Sequence, residues 1–148
     1  MTLAYRVVPR LSLGIEWNPR SDSTSPLANF VAVSETARRP ALMFGTSSDR
    51  IGTPEGQAYY FTLSKDLSTV NGWPVSPYVG ASYGTFENDL RAIAGLYIRV
   101  PETGFASTLI HDGKTFHPTV EYRFLGRHVI SVLWVATEHV GVSYSVAF

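Results

Sequence analysis

The stretch Val140-Gly-Val-Ser-Tyr-Ser-Val-Ala-Phe148 decides how the chain reads. Large apolar side chains stand at Val140, Val142, Tyr144, Val146 and Phe148, with Gly141, Ser143, Ser145 and Ala147 between them. A period of two means an extended strand with one oily face and one slim, polar face. Working back from there, the same alternation recurs at the short, regular spacing of an all-β domain.

Residues 3–17 read as one long strand, with Tyr5, Val7, Leu11, Leu13, Ile15 and Trp17 on one face. Arg6, Arg10 and Glu16 fall on the other. Further strands are expected over 27–36, 41–47, 58–65, 78–86, 90–100, 105–111, 115–124 and 129–137. Turn chemistry separates them: a polar loop over 48–57, Asn71-Gly72, Glu87-Asn88-Asp89, Pro101 with Gly104, and Gly126. Asp112-Gly113 signals a two-residue hairpin expected to pair His111 with Lys114. Glu35 to Arg39 is the one place a helical turn is expected, ended by Pro40. Pro9 and Pro118 fall inside expected strands, where each removes a ladder donor.

The count is about ten strands, with eight as the smaller alternative. Short turns between consecutive strands make neighbours antiparallel, an up-and-down meander. A meander of that size closes into a barrel or splits into two sheets.

Composition bounds the function. At 148 residues the chain is one domain, 1–148. Twelve Lys plus Arg balance twelve Asp plus Glu, and no basic run marks a nucleic-acid surface. Cysteine is absent, which removes disulfides, thiolate metal sites and Cys nucleophiles. Charged residues make up 16%, against roughly 25% in ordinary soluble domains. No apolar run reaches the ~18 residues of a membrane-spanning helix.

The alternating strands from Ala58 onward, their tight turns and the terminal Phe148 resemble bacterial outer-membrane β-barrel proteins. The resemblance implies a transmembrane-type barrel in a Gram-negative outer membrane, porin-like in build, with a structural, anchoring or narrow-pore role. It implies membrane lipid and the barrel-insertion machinery as partners, with Tyr144, Val146 and Phe148 as the insertion signal. An exported leader, or strands upstream of Met1, is expected to be missing from the chain. The lipid-interface aromatics would be Tyr5, Trp17, Tyr122, Phe124 and Tyr144. Taken along one strand, Tyr5 and Trp17 would stand about 30 Å apart on the barrel axis, close to the spacing of two aromatic girdles.

The inward set would be Arg6, Arg10, Glu16, Arg91, Tyr97, Arg99, His117, Glu121 and Arg123. A basic residue on the lipid face costs about 2–4 kcal/mol at mid-membrane, so five outward arginines would exceed a small domain's whole stability. Packed together inside, they could pair with Glu16 and Glu121 and fill the lumen. The alternative is a soluble β-barrel that binds a small apolar ligand in its interior and reverses both faces. A rim enzyme could use His111 with Asp112, or Glu138 with His139, but no Gly-x-Ser-x-Gly motif is present. No catalytic residue, metal or cofactor is expected.

Overall fold

The computed structural model describes residues 2–18, 21–49, 53–135 and 139–146. These form β1 (Thr2–Val8), β2 (Leu11–Asn18), β3 (Ser23–Val33), β4 (Ala41–Ser48), β5 (Gln57–Ser64), α1 (Ser68–Asn71), β6 (Val75–Gly84), β7 (Asp89–Arg99), β8 (Phe105–His111), β9 (Phe116–Phe124), β10 (His128–Val135) and β11 (His139–Val146). The strands make one eleven-stranded sheet in strict chain order, each antiparallel to the next. The all-β meander is as expected. The sheet is not closed, since β1 and β11 are its two ends and each has a single neighbour.

The count is eleven, not ten or eight, because residues 3–17 are a hairpin rather than one strand. Val8 pairs with Leu11, so Pro9 and Arg10 form the turn. Pro9 therefore takes no donor from a ladder. Tyr5 stands opposite Leu13, which removes the expected separation between Tyr5 and Trp17. Pro118 does lie within a strand, opposite Leu109 of β8. Its backbone faces β10, and the ladder to β10 ends at the neighbouring pair Leu133 and Thr119, where Pro118 has no N–H to carry it on.

Two local expectations are corrected. Glu35 to Arg39 makes a tight turn closed by a bridge between Thr36 and Arg39, not a helical turn. Its Glu35 carboxylate accepts hydrogen bonds at 3.0 Å from the Lys65 ammonium and the Asp66 amide, which anchors the turn to the β5–α1 connection. The β8–β9 hairpin pairs His111 with Phe116 and Ile110 with His117. Asp112 then closes the loop with its amide on the Thr115 carbonyl, so Gly113 and Lys114 are the two central residues. Gly113 takes φ of 97°, which favours glycine there.

The sheet encloses almost no hydrocarbon. Among the described residues the buried apolar ones are Ala58 and Ala106, whereas Asp49, Thr62, Arg91, Asp112 and His117 are buried and polar. Thirty large apolar side chains among these described residues are exposed. The accessible surface is 9622 Å², against about 7,500 Å² expected for a folded monomer of this mass. A single curled layer explains the excess, because no second layer covers either face.

Candidate functional site

Register assigns every strand residue to a face. One inner row runs Asn29, Gly45, Tyr60, Ser82, Arg91 across β3 to β7. A second runs Ser64, Tyr78, Gly95, Ile110, His117 across β5 to β9. In each row a tyrosine ring lies over the glycine of a neighbouring strand. A Cβ on Gly45 would come within 2.5 Å of the Tyr60 ring, and one on Gly95 within 2.2 Å of the Tyr78 ring. The Tyr60 hydroxyl donates to the Asn29 side-chain oxygen at 2.7 Å, reaching across β4. Glycines thus let flat aromatic rings fill the inside at close range.

A charged clamp stands at one end of this face. The Arg91 side chain is 6% exposed and meets Asp49 at 3.7 Å, Asp89 at 3.4 Å and Glu87 at contact distance. Lys114 reaches Glu87 as well, tying the β8–β9 hairpin to the clamp. Gly113 leaves room for the Arg91 stem, since a Cβ there would meet the Arg91 Cβ at 2.4 Å. Asp49 also accepts from the Phe86 amide at 2.9 Å.

Asp112 organises the adjoining hairpin. Its Oδ1 accepts from the amides of Lys114 and Thr115, both at 2.9 Å, and its Oδ2 meets His117 Nε2 at 2.9 Å. Burial alone would raise the Asp112 pKa, but the Thr115 amide, His117 and the Lys114 amide together hold it below the ordinary carboxylate value. His117 is completely buried, and its Nε2 also lies 3.1 Å from the Thr115 hydroxyl.

Strands β4 to β8 wrap a cavity of about 530 Å³ beside the clamp, with Met43, Tyr60, Tyr78, Ile93 and Ile110 among its walls. A second cavity of about 610 Å³ lies at the opposite end, between the α1–β6 connection and the β9–β10 turn. There the Tyr97 hydroxyl donates to Glu121 at 3.0 Å. Arg99 binds Asp66 at 2.9 and 3.1 Å and Ser68 at 3.0 Å. Asp66 has its pKa lowered, first by the Ser68 hydroxyl and then by the Ser68 amide, with Arg99 adding to both.

The sequence-derived inward residues therefore divide. Arg91 and His117 sit in the buried end, and Tyr97, Arg99, Glu121 and Arg123 border the second cavity. Glu16 accepts from the Ser48 amide and hydroxyl, each at 2.7 Å. Arg6 is exposed on β1, and Arg10 sits in the exposed β1–β2 turn rather than on an inner strand face. Arg91 and Arg99 pair with carboxylates from turns and connections, Asp49, Glu87 and Asp66, and with Asp89 at the start of β7. Glu16 and Glu121 are held by hydroxyl and amide donors instead. Sequence reading missed Asp49 and Glu87 as charge partners because acidic residues in turns are ordinary, and it set Asp112 beside His111 where the structure sets it against His117.

On the outer face, Phe105, Tyr122, Phe124, His128 and Tyr144 form a continuous run of rings across β8 to β11. Successive centroids lie 4.7, 6.2, 5.3 and 6.0 Å apart. His128 Nδ1 meets the Tyr144 hydroxyl at 2.7 Å. Tyr122, Phe124 and Tyr144 of the expected interface aromatics fall in this run. Trp17 stands exposed near the other end of β2, its indole N–H donating to Asp22 at 3.4 Å. Of the expected insertion signal, Tyr144 and Val146 are in β11, whereas Phe148 lies outside the described residues, as does Glu138.

Of the expected rim pairs, Glu138 with His139 falls partly outside the described residues, and His111 with Asp112 does not come together. The His111 ring packs on the outer face against Phe116 at 4.6 Å, while Asp112 is buried within its hairpin. His117, the histidine that Asp112 does hold, has no exposed surface for a substrate to approach. Among the described residues no group of three His, Cys, Asp or Glu is placed to hold a metal ion. The chain matches no protein-family model, no curated protein and no solved structure.

Proposed function

We propose that this protein is a small integral β-barrel of a bacterial outer membrane, serving as an anchor or scaffold with a plugged interior. One observation carries the reading: no Lys, Arg, Asp or Glu lies on the outer face of any described strand. Arg6, Glu16, Asp89, Arg91, Arg99, Glu121 and Arg123, the charged residues within strands, all share the inner parity. Water imposes no such segregation on an exposed sheet face, whereas hydrocarbon does, at about 2–4 kcal/mol per basic residue at mid-depth.

The dimensions fit. On β7 and just beyond it, Leu90, Ala92, Ala94, Leu96, Ile98 and Val100 follow one another along the outer side. They span about 33 Å of chain, or about 25 Å along the axis at a tilt near 40°, the height of a barrel's apolar band. The ring run from Phe105 to Tyr144 then stands at one margin, where amphipathic rings favour a membrane–water boundary. Tyr60, Tyr78 and the Arg91 clamp crowd the inside, which favours a plugged scaffold over an open conduit. A soluble ligand-binding cup would need the opposite sidedness, oily within and polar without. Under this reading Tyr144 and Val146 of β11, together with Phe148, make up the segment read by the insertion machinery.

Membrane fractionation tests the proposal. The protein produced with an export leader should stay in the pellet through alkaline carbonate, need detergent for release, and migrate differently on gels before and after heating. Recovery in the aqueous wash would refute it.

A further inference from the structure

We infer that the cavity wrapped by β4 to β8 is a binding chamber for a small uncharged molecule, largely apolar in body and carrying one or two oxygen groups. Its volume of about 530 Å³ lies within the roughly 300–1,000 Å³ of sites that take drug-sized ligands. The residues that line it lie between Met43 and Asp112, so the chamber depends on neither end of the sheet.

Three successive inner rows make the wall. Met43, Thr62, Gly80 and Ile93 form the middle row across β4 to β7. The rows carrying Tyr60 and Tyr78 flank it. Gly80 puts no side chain into the middle, and the two tyrosine rings are laid over Gly45 and Gly95, close to the sheet. Space therefore remains beside the clamp. Met43, Ile93 and Ile110 face it half-buried, so an apolar body seated between them would cover hydrocarbon that the sheet alone does not.

Polar groups converge on the same space. The hydroxyls of Thr62, Ser64, Tyr78 and Ser82 line the cavity, and none of the four has a hydrogen-bond partner among the described residues. Thr62 is 7% exposed, so bulk water serves its hydroxyl poorly. A hydroxyl kept from bulk water in this way favours a ligand oxygen that can bond it. The charged wall residues are different. Arg91 and Asp49 are paired with each other, and Asp112 is taken up by two amides and His117. Nothing ionised is left over to offset the desolvation of a charged ligand, which is why the occupant is neutral. With the clamp at one end, the chamber suits holding a molecule rather than passing it on.

Met1 and Met43 are the chain's two methionines, so isotopic labelling of methionine methyl groups places a reporter in the chamber wall. Met43→Leu assigns its NMR signal. The labelled chain is titrated with prodan, an uncharged naphthyl ketone, and the Met43 signal should shift and saturate. Micelles also take up prodan, so saturation is the criterion rather than the shift alone. Thr62→Val combined with Tyr78→Phe removes two hydroxyls and little volume, and should weaken binding by about fivefold, the worth of one neutral hydrogen bond. Anilinonaphthalene sulfonate, an anion, and naphthyl trimethylammonium, a cation, should bind about tenfold more weakly or worse. The chamber is overturned if the Met43 signal ignores prodan or drifts without saturating. It is overturned equally if the doubly substituted chain, folded by its heat-modifiable migration, binds as tightly as the parent. Equal binding of either charged probe overturns the uncharged class. The titration is run in micelles, or in buffer if the aqueous wash recovers the protein, so its outcome and that of the membrane proposal stay separate.

Discussion

Replacing Arg91 by methionine removes the cation from a site where three carboxylates converge. The Asp49 side chain is 2% exposed and that of Arg91 6%, so solvent screens neither. Breaking a buried pair by deleting one partner costs about 3–5 kcal/mol, because the charge left behind has lost both its counter-ion and its water. Asp49 keeps the Phe86 amide as a donor, which places the expected loss toward the lower end, about 3 kcal/mol. Arg91→Met should therefore lower the folded-to-unfolded ratio by about a hundredfold or more, measured by urea titration of refolded protein in micelles. Asp49→Asn added to Arg91→Met should restore part of the loss, because it removes a buried charge that Arg91 neutralised. A double-mutant cycle gives the coupling directly. If Arg91→Met lies within about 0.5 kcal/mol of the parent and the cycle shows no coupling, the clamp is not holding β4, β7 and the β8–β9 hairpin together as argued.

Three further outcomes are expected. Leu96→Arg, on the outer face opposite Leu109, should block membrane assembly by about 2–4 kcal/mol, whereas Thr119→Arg, on the inner face opposite Thr108, should assemble better; equal loss in heat-modifiable protein would contradict the sidedness. Asp112 has a folded pKa below 3.8, so its contribution is complete above that value and is lost as pH falls through the lower folded value. Amide exchange in the β8–β9 hairpin should accordingly quicken at strongly acid pH, and Asp112→Asn should flatten that dependence. Gly95→Val should displace the Tyr78 ring and cost about 1–3 kcal/mol in the same urea titration, while Gly126→Ala, with nothing within 4 Å of its added Cβ, should disturb only the turn.

Much of the sheet was legible because alternation is a local signal. The strands from Ala58 onward, and the turns at Asn88, Gly104 and Gly126, follow from period and turn chemistry alone. The hairpin at Pro9 was not legible for a specific reason. Tyr5 and Leu13 are partners eight residues apart, and an even separation keeps both on one face. The pattern of oily odd-numbered residues therefore runs through the turn unbroken, and two strands read as one. The inner charge partners were hidden differently. Arg91 could be placed inward by parity, but its acids sit in or beside turns, at Asp49, Glu87 and Asp89, where only the curl of the sheet brings them to it. The Tyr60–Gly45 and Tyr78–Gly95 contacts depend on which strands are neighbours, which one-strand periodicity does not carry.

Two alanine methyl groups are nearly all the oil that the described residues shut away. A chain built so has no droplet of its own to condense around in water. Diluted from urea into plain buffer, its greasy exterior can be satisfied only by meeting other copies, and turbidity should follow. On the proposed membrane reading, the same dilution into micelles supplies the missing solvent and should yield strands instead.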